Sequence, residues 1–145
     1  MPARLNGENY HAFLRDQLPG LIERAALPPE TLNNLIFLHD GAPAHFSNDV
    51  REHLGITYPG RWIGRGGPVP WPPRSPDLNF DDYYLWGRIK NMVYQGETST
   101  REMTWQRIQD AFATLTAEEI KRASQNLYTR AAMCLANNGM HFEHL

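Results

Sequence analysis

An α/β fold with a helix-rich C-terminal half is what this sequence predicts, and three observations carry the prediction. The run Leu35-Ile36-Phe37-Leu38 is short and continuously apolar, the pattern of a strand covered on both faces. Two amphipathic segments, each behind a capping box, fill most of the stretch from about residue 101 to 136. Between strand and helices, residues 53–76 hold 11 Gly or Pro among 24, so they form a long irregular connection. With 145 residues, 41% of them hydrophobic and 11% aromatic, the chain can bury a real core and is read as a single domain over 1–145.

The elements follow in order. Residues 9–24 place Tyr10, Phe13, Leu14, Leu21 and Ile22 at helical spacing, with Pro19-Gly20 kinking or splitting the helix. The apolar strand comes next and Asp40 stands at its C-terminal end, before the turn Gly41-Ala42-Pro43, which the same carboxylate could cap. Ser47 opens a second helix, SNDVREHL. Inside the Gly/Pro-rich segment one strand is expected near Arg61-Trp62-Ile63, and its Arg61, Arg65 and Arg74 meet no local acid. A helix then runs from about Asp82 to Tyr94, another from Arg101 to Leu115 behind Ser99-x-x-Glu102, and a third from Ala117 to Ala136 behind Thr116-x-x-Glu119. Trp105, Ile108, Phe112 and Leu115 make one packing stripe; Ile120, Ala123, Leu127, Ala131 and Leu135 make another. Asn138-Gly139 supplies a left-handed stop.

Composition excludes several classes. The formal charge is −2, yet 12 of the 14 basic residues are Arg, Lys90 and Lys121 being the two lysines, a mild lean towards anionic partners. The single Cys134 rules out an intramolecular disulfide framework and a multi-Cys zinc module, which fits a reducing compartment. No stretch approaches the ~20 apolar residues of a membrane span, and MPARLNGENY lacks a signal-peptide pattern. A soluble intracellular protein, with no membrane partner, is the expectation.

Two aspartates are the candidate site. At 100° per residue Leu85, Trp86, Ile89, Met92 and Val93 share one helical face, and Asp82 falls near its middle, so its carboxylate is expected to point at the core, with Asp81 at the edge. The alternative, an acid complementing the helix dipole, stays open. Asp40 and Asp82 both suit the carboxyl edge of a sheet, where α/β folds build their sites. Carboxylates without Cys or a tight His cluster suit Mg²⁺ or Mn²⁺, which take oxygen ligands. Among the histidines, His39-Asp40 is too short a pattern to signify a phosphohydrolase. His45 is placed near the acidic site in a supporting role, and His141 and His144 read as solvent-facing or capping groups.

The motifs HDGAPAHF, RWIGRGGPVPWPPRSPDLNFDDYYLWGRIK and NNGMHFEHL, in this order, resemble the C-terminal part of the catalytic domain of mariner-like transposases, with likeness from LNGENY onwards. The resemblance implies a ribonuclease-H-like fold whose three acids bind two Mg²⁺ ions and cut and rejoin transposon DNA in the nucleus. Asp40 matches the second acid and Asp82, in S-P-D-L-x-x-x-D, the third. The first acid and its opening strands lie upstream of the LNGENY match, and Asp16 matches no catalytic position. The implied fold is therefore an incomplete ribonuclease-H-like domain, expected to be inactive alone. Phe80 stands where the motif commonly has Pro, which could shift the start of the Asp82 helix. Arg61, Arg65, Arg74, Arg88 and Lys90 are the candidate DNA contacts. A host-retained DNA-binding or protein-interaction module and an inert transposon fragment are the alternatives, and a partial domain with uncovered faces should be sticky, dimeric or marginally stable.

Overall fold

The computed structural model describes residues 4–95 and 100–140. The chain divides into two compact units, Met1–Arg74 and Ser75–Leu145.

In the first unit, helix α1 (Gly7–Asp16) starts at Asn6, which exchanges capping bonds with Asn9 at 2.9 and 3.0 Å. The expected break falls at Gln17, and Pro19 sits in the first turn of α2 (Leu18–Arg24), where its missing N–H costs nothing. A short α3 (Pro29–Asn33) leads to β1, which is confined to Phe37–Leu38. The apolar run is less covered than its composition implied: Ile36, just before β1, is 60% exposed, and Phe37 and Leu38 are half-buried. Ser47 caps α4 (Asn48–Thr57), accepting from the Val50 N–H at 3.4 Å.

After α4 the chain returns as β2 (Trp62–Gly64), parallel to β1 with Phe37 opposite Trp62 and Leu38 opposite Ile63. A further strand that the Gly/Pro content concealed, β3 (Val69–Pro70), lies parallel to β2, with Ile63 opposite Val69. Parallel neighbours ordinarily need a crossover of a dozen or more residues. Here the connection is only 65–68, turned by Gly66 at φ 76°. Leu14, Val50, Leu54 and Trp62 form the core between α1, α4 and the sheet.

In the second unit, a π-helical turn (Asp81–Leu85) runs directly into α5 (Trp86–Val93), followed by α6 (Arg101–Ala113) and α7 (Ala117–Ala136). Thr100 caps α6 through the Met103 N–H at 3.1 Å, while Ser99 lies outside the described residues. Thr116 caps α7 through the Glu119 N–H at 3.1 Å, as the sequence predicts. Past α7, Asn138 (φ 54°) and Gly139 (φ 78°) make the left-handed stop. Ile89, Val93 and Ala111 are the core here, with Ile108 and Leu115 packed against them. The α7 stripe is only partly used: Ala123 is buried, whereas Leu135 is 81% exposed. No helix among the described residues is long and apolar enough to cross a membrane.

Candidate metal and nucleic-acid site

Asp40 lies two residues past β1, one residue beyond the last ladder bond, from the His39 N–H to the Ile63 carbonyl at 3.0 Å. Its Oδ1 accepts from the Ala42 N–H at 3.0 Å, so the carboxylate does close the Asx-type turn. The same oxygen lies 2.6 Å from His45 Nδ1, on the 3-10 turn Pro43–Phe46. Both contacts fall on Oδ1, and the side chain is 37% exposed. A turn cap thus fixes the carboxylate while the side chain keeps partial exposure, which fits a hard divalent cation.

Beneath this pair lies a cluster whose members are far apart in sequence. His39, 6% exposed, stacks on His45 with ring centres 4.9 Å apart and 7° between planes. Tyr10, from α1, brings its hydroxyl to 3.4 Å from His39 Nδ1 and its ring to 4.4 Å from His45. Burial first, then the Asp40 charge, pushes the Tyr10 phenol up to about 12, so it stays protonated, and its hydroxyl donates to His39 Nδ1 or accepts from it according to the His39 tautomer. His39 Nε2 is a buried atom with no hydrogen-bond partner and faces the bare Cα of Gly64. Desolvation, then neighbouring His45, pulls the His39 pKa down from 6.5 to about 4, against the opposing Asp40 charge.

The sign of the linkage follows. An unfolded histidine takes up its proton near pH 6.5, the folded one only near pH 4, so the unfolded state binds more protons between them. Stability from a neutral His39 is full above about pH 6.5 and falls as the pH drops towards 4. NMR titration of the His39 ring shifts, alongside urea unfolding at pH 7 and pH 5, checks both parts; a His39 that titrates near 6.5 contradicts them.

The second aspartate corrects the helical-wheel expectation. Asp82 is exposed, as is Asp81, and does not point into the core. The reason is the π turn, in which the Trp86 N–H bonds to the Asp81 carbonyl five residues back. More residues per revolution mean that the 100° step, carried back from the α5 face, assigns Asp82 the wrong azimuth. Asn79 holds this turn: its amide donates to Asp82 Oδ2 at 2.8 Å and its Oδ1 accepts from the Asp81 N–H at 3.3 Å. Sequence reasoning passes over Asn79, although an Asn two and three residues ahead of paired acids is a capping signal. Phe80 has φ −51°, a value open to proline, and the preceding Asn79 is extended, so the backbone here is one that proline would also accept.

The basic candidates divide by environment. Arg61 donates to the carbonyls of Asn33 at 2.8 Å and Leu35 at 3.1 Å, tying β2 to the approach to β1. Arg88 pairs with Glu119 at 3.0 Å. Arg65 lies over the Phe46 ring at 4.1 Å, and Arg65, Arg74 and Lys90 are exposed. Among the described residues no three His, Cys, Asp or Glu side chains form a metal-holding group; His141 and His144 lie outside those residues.

No family model matches the chain. Over 111 residues it is 28% identical to the Mariner Mos1 transposase of Drosophila mauritiana, a match covering 77% of this chain and 30% of that protein. A solved structure of the Mos1 transposase catalytic domain with raltegravir and Mn superposes at a TM-score of 0.81 with 25% identity, covering 98% of this chain and 68% of that one. The Mos1 mariner paired-end complex with Mn superposes at 0.78 with 27% identity, covering 97% and 38%. Sequence and fold together are thus similar to a mariner transposase catalytic domain, and the small parallel sheet with its helices is part of a ribonuclease-H-like fold. The chain spans about a third of the curated relative's length.

Proposed function

We propose that this chain is part of a DNA transposase catalytic domain, both of its units belonging to that one domain, and that its ancestral chemistry is metal-dependent cleavage and strand transfer of transposon DNA in the nucleus. The observation that carries this reading is Asp40, fixed at the carboxyl end of β1 by the Ala42 N–H and His45, in a fold similar to a transposase catalytic domain solved with Mn. Asp40 and Asp82 are the two carboxylate ligands, and His45 orients the first. Bound Mg²⁺ or Mn²⁺ would supply activation of the attacking oxygen and stabilisation of the leaving oxygen at a phosphodiester. Arg65, Arg74 and Lys90 meet phosphates as exposed cations, whereas Arg61 and Arg88 would do so from positions they already hold through internal bonds.

The 145-residue polypeptide carries two of the family's three acids, so as an isolated chain it is expected to bind the metal without cutting DNA. Mn²⁺ titration followed by electron paramagnetic resonance tests this, paired with a plasmid-nicking assay. Saturable Mn²⁺ binding without nicking supports the reading. Nicking lost in both Asp40→Ala and Asp82→Ala contradicts the inactivity, and absence of Mn²⁺ binding contradicts the metal role.

A further inference from the structure

We propose that the face of α7 beside the π turn is a second docking groove for a nucleic-acid backbone, its lining including neither Asp40 nor Asp82. A groove of about 650 Å³ opens between the π turn and α7, lined by Tyr84, Arg122, Gln125, Asn126, Thr129 and Arg130 among others. Arg122, Asn126 and Arg130 recur at four-residue spacing and share one helical face. Eight residues of helix separate the two arginines by about 12 Å, roughly the rise of three to four base steps along a strand. That reach suits an extended polyanion better than a single phosphate.

The electrostatics point the same way. From residue 120 to 142 the sequence has no Asp or Glu, while Lys121, Arg122 and Arg130 are basic. The one carboxylate in the groove, Glu119, is already taken by the Tyr84 hydroxyl and by Arg88 Nε at 3.0 Å. Arg130 is held in place, its guanidinium 4.5 Å from the centre of the Tyr83 ring and its Nε bonded to the Asp77 carbonyl. Tyr83 is anchored in turn, donating to the Ala123 carbonyl at 2.7 Å. An arginine braced on an aromatic ring gives up little further freedom on binding. Gln125, Asn126 and Thr129 add neutral donors of the kind that contact phosphate and sugar without reading sequence.

That the polyanion is DNA rests on the proposed function, so the test separates the two. The probe is a fluorescent duplex of arbitrary sequence, titrated at several salt concentrations with the full chain. Arg122→Gln is expected to weaken binding by about three- to tenfold at low salt and to reduce the salt slope by about 1. Arg101→Gln, an exposed arginine on α6 outside the groove, is the charge-matched control and is expected to leave both nearly unchanged. Equal effects of the two variants, no effect of Arg122→Gln, or no binding by the parent chain each overturn the groove. Binding of an acidic peptide in preference to the duplex overturns it in favour of a protein partner. Mn²⁺ affinity is expected to be the same in Arg122→Gln as in the parent, so failure of the groove leaves the metal reading standing, and loss of the metal reading shows in Mn²⁺ titration instead.

Discussion

Gly64→Ala is expected to destabilise the first unit by about 3 kcal/mol, at the upper end of what overpacking a close-packed core costs. A Cβ at this position would stand 2.2 Å from His39 Nε2, 2.3 Å from His39 Cδ2 and 3.0 Å from Trp62 Cζ3. Neither ring can swing away cheaply, because His39 is wedged between Phe37, Tyr10, His45 and Trp62, and Trp62 is itself 4% exposed. Displacing His39 would also remove the surface on which His45 stacks, linking a packing fault at β2 to the carboxylate at the end of β1. Urea unfolding followed through tryptophan fluorescence reads the effect as a lower midpoint with an unchanged slope. A midpoint equal to that of the parent would mean that the space beside Gly64 is not closed.

His45→Ala carries the second large effect, an expected loss of Mn²⁺ affinity of about 10- to 100-fold, the range seen when a partner that orients a metal ligand is removed. His45 lies 2.6 Å from Asp40 Oδ1 and its ring is clamped between Tyr10 and His39, so it fixes the carboxylate's rotamer from one side. A merely structural role would be met by any residue that fills the volume. An orienting role is instead met by His45→Asn in part, since the amide can donate to the same oxygen. Mn²⁺ titration of both variants separates these: partial recovery in His45→Asn relative to His45→Ala supports orientation, and equal loss in the two removes it.

Much of this arrangement is legible in the sequence, and for local reasons. Asp40 stands out as a carboxylate at the end of an apolar run, and it does lie two residues past β1, where it also closes the turn that the sequence offered as its plainer role. The starts of α4 and α7 are announced by Ser47 and Thr116, each bonding an N–H three residues on. The left-handed stop at Asn138-Gly139 is equally local. What escapes is whatever depends on accumulated geometry or on distant parts of the chain. The helical wheel misplaces Asp82 because a single π turn intervenes before α5, and periodicity cannot register a change in its own period. Pro and Gly conceal β3, since they usually argue against a strand. Tyr10 and His39 meet across 29 positions, and no pattern in either neighbourhood announces the other. The face from Arg122 to Arg130 is hidden in a different way, because the apolar stripe of α7 marks the helix as a packing element and draws attention to its other side.

The proposed sharing of one metal ion by Asp40 and Asp82 is tested most directly by a double-mutant cycle in Mn²⁺ binding. The affinities of the parent, Asp40→Asn, Asp82→Asn and the double variant are measured under one set of conditions. The expected result is a loss of about tenfold or more in each single variant and strong non-additivity, the double variant binding little worse than either single, because ligands of a shared centre act together. Independent, additive losses, or an Asp82→Asn variant that binds Mn²⁺ as well as the parent, would contradict a shared centre.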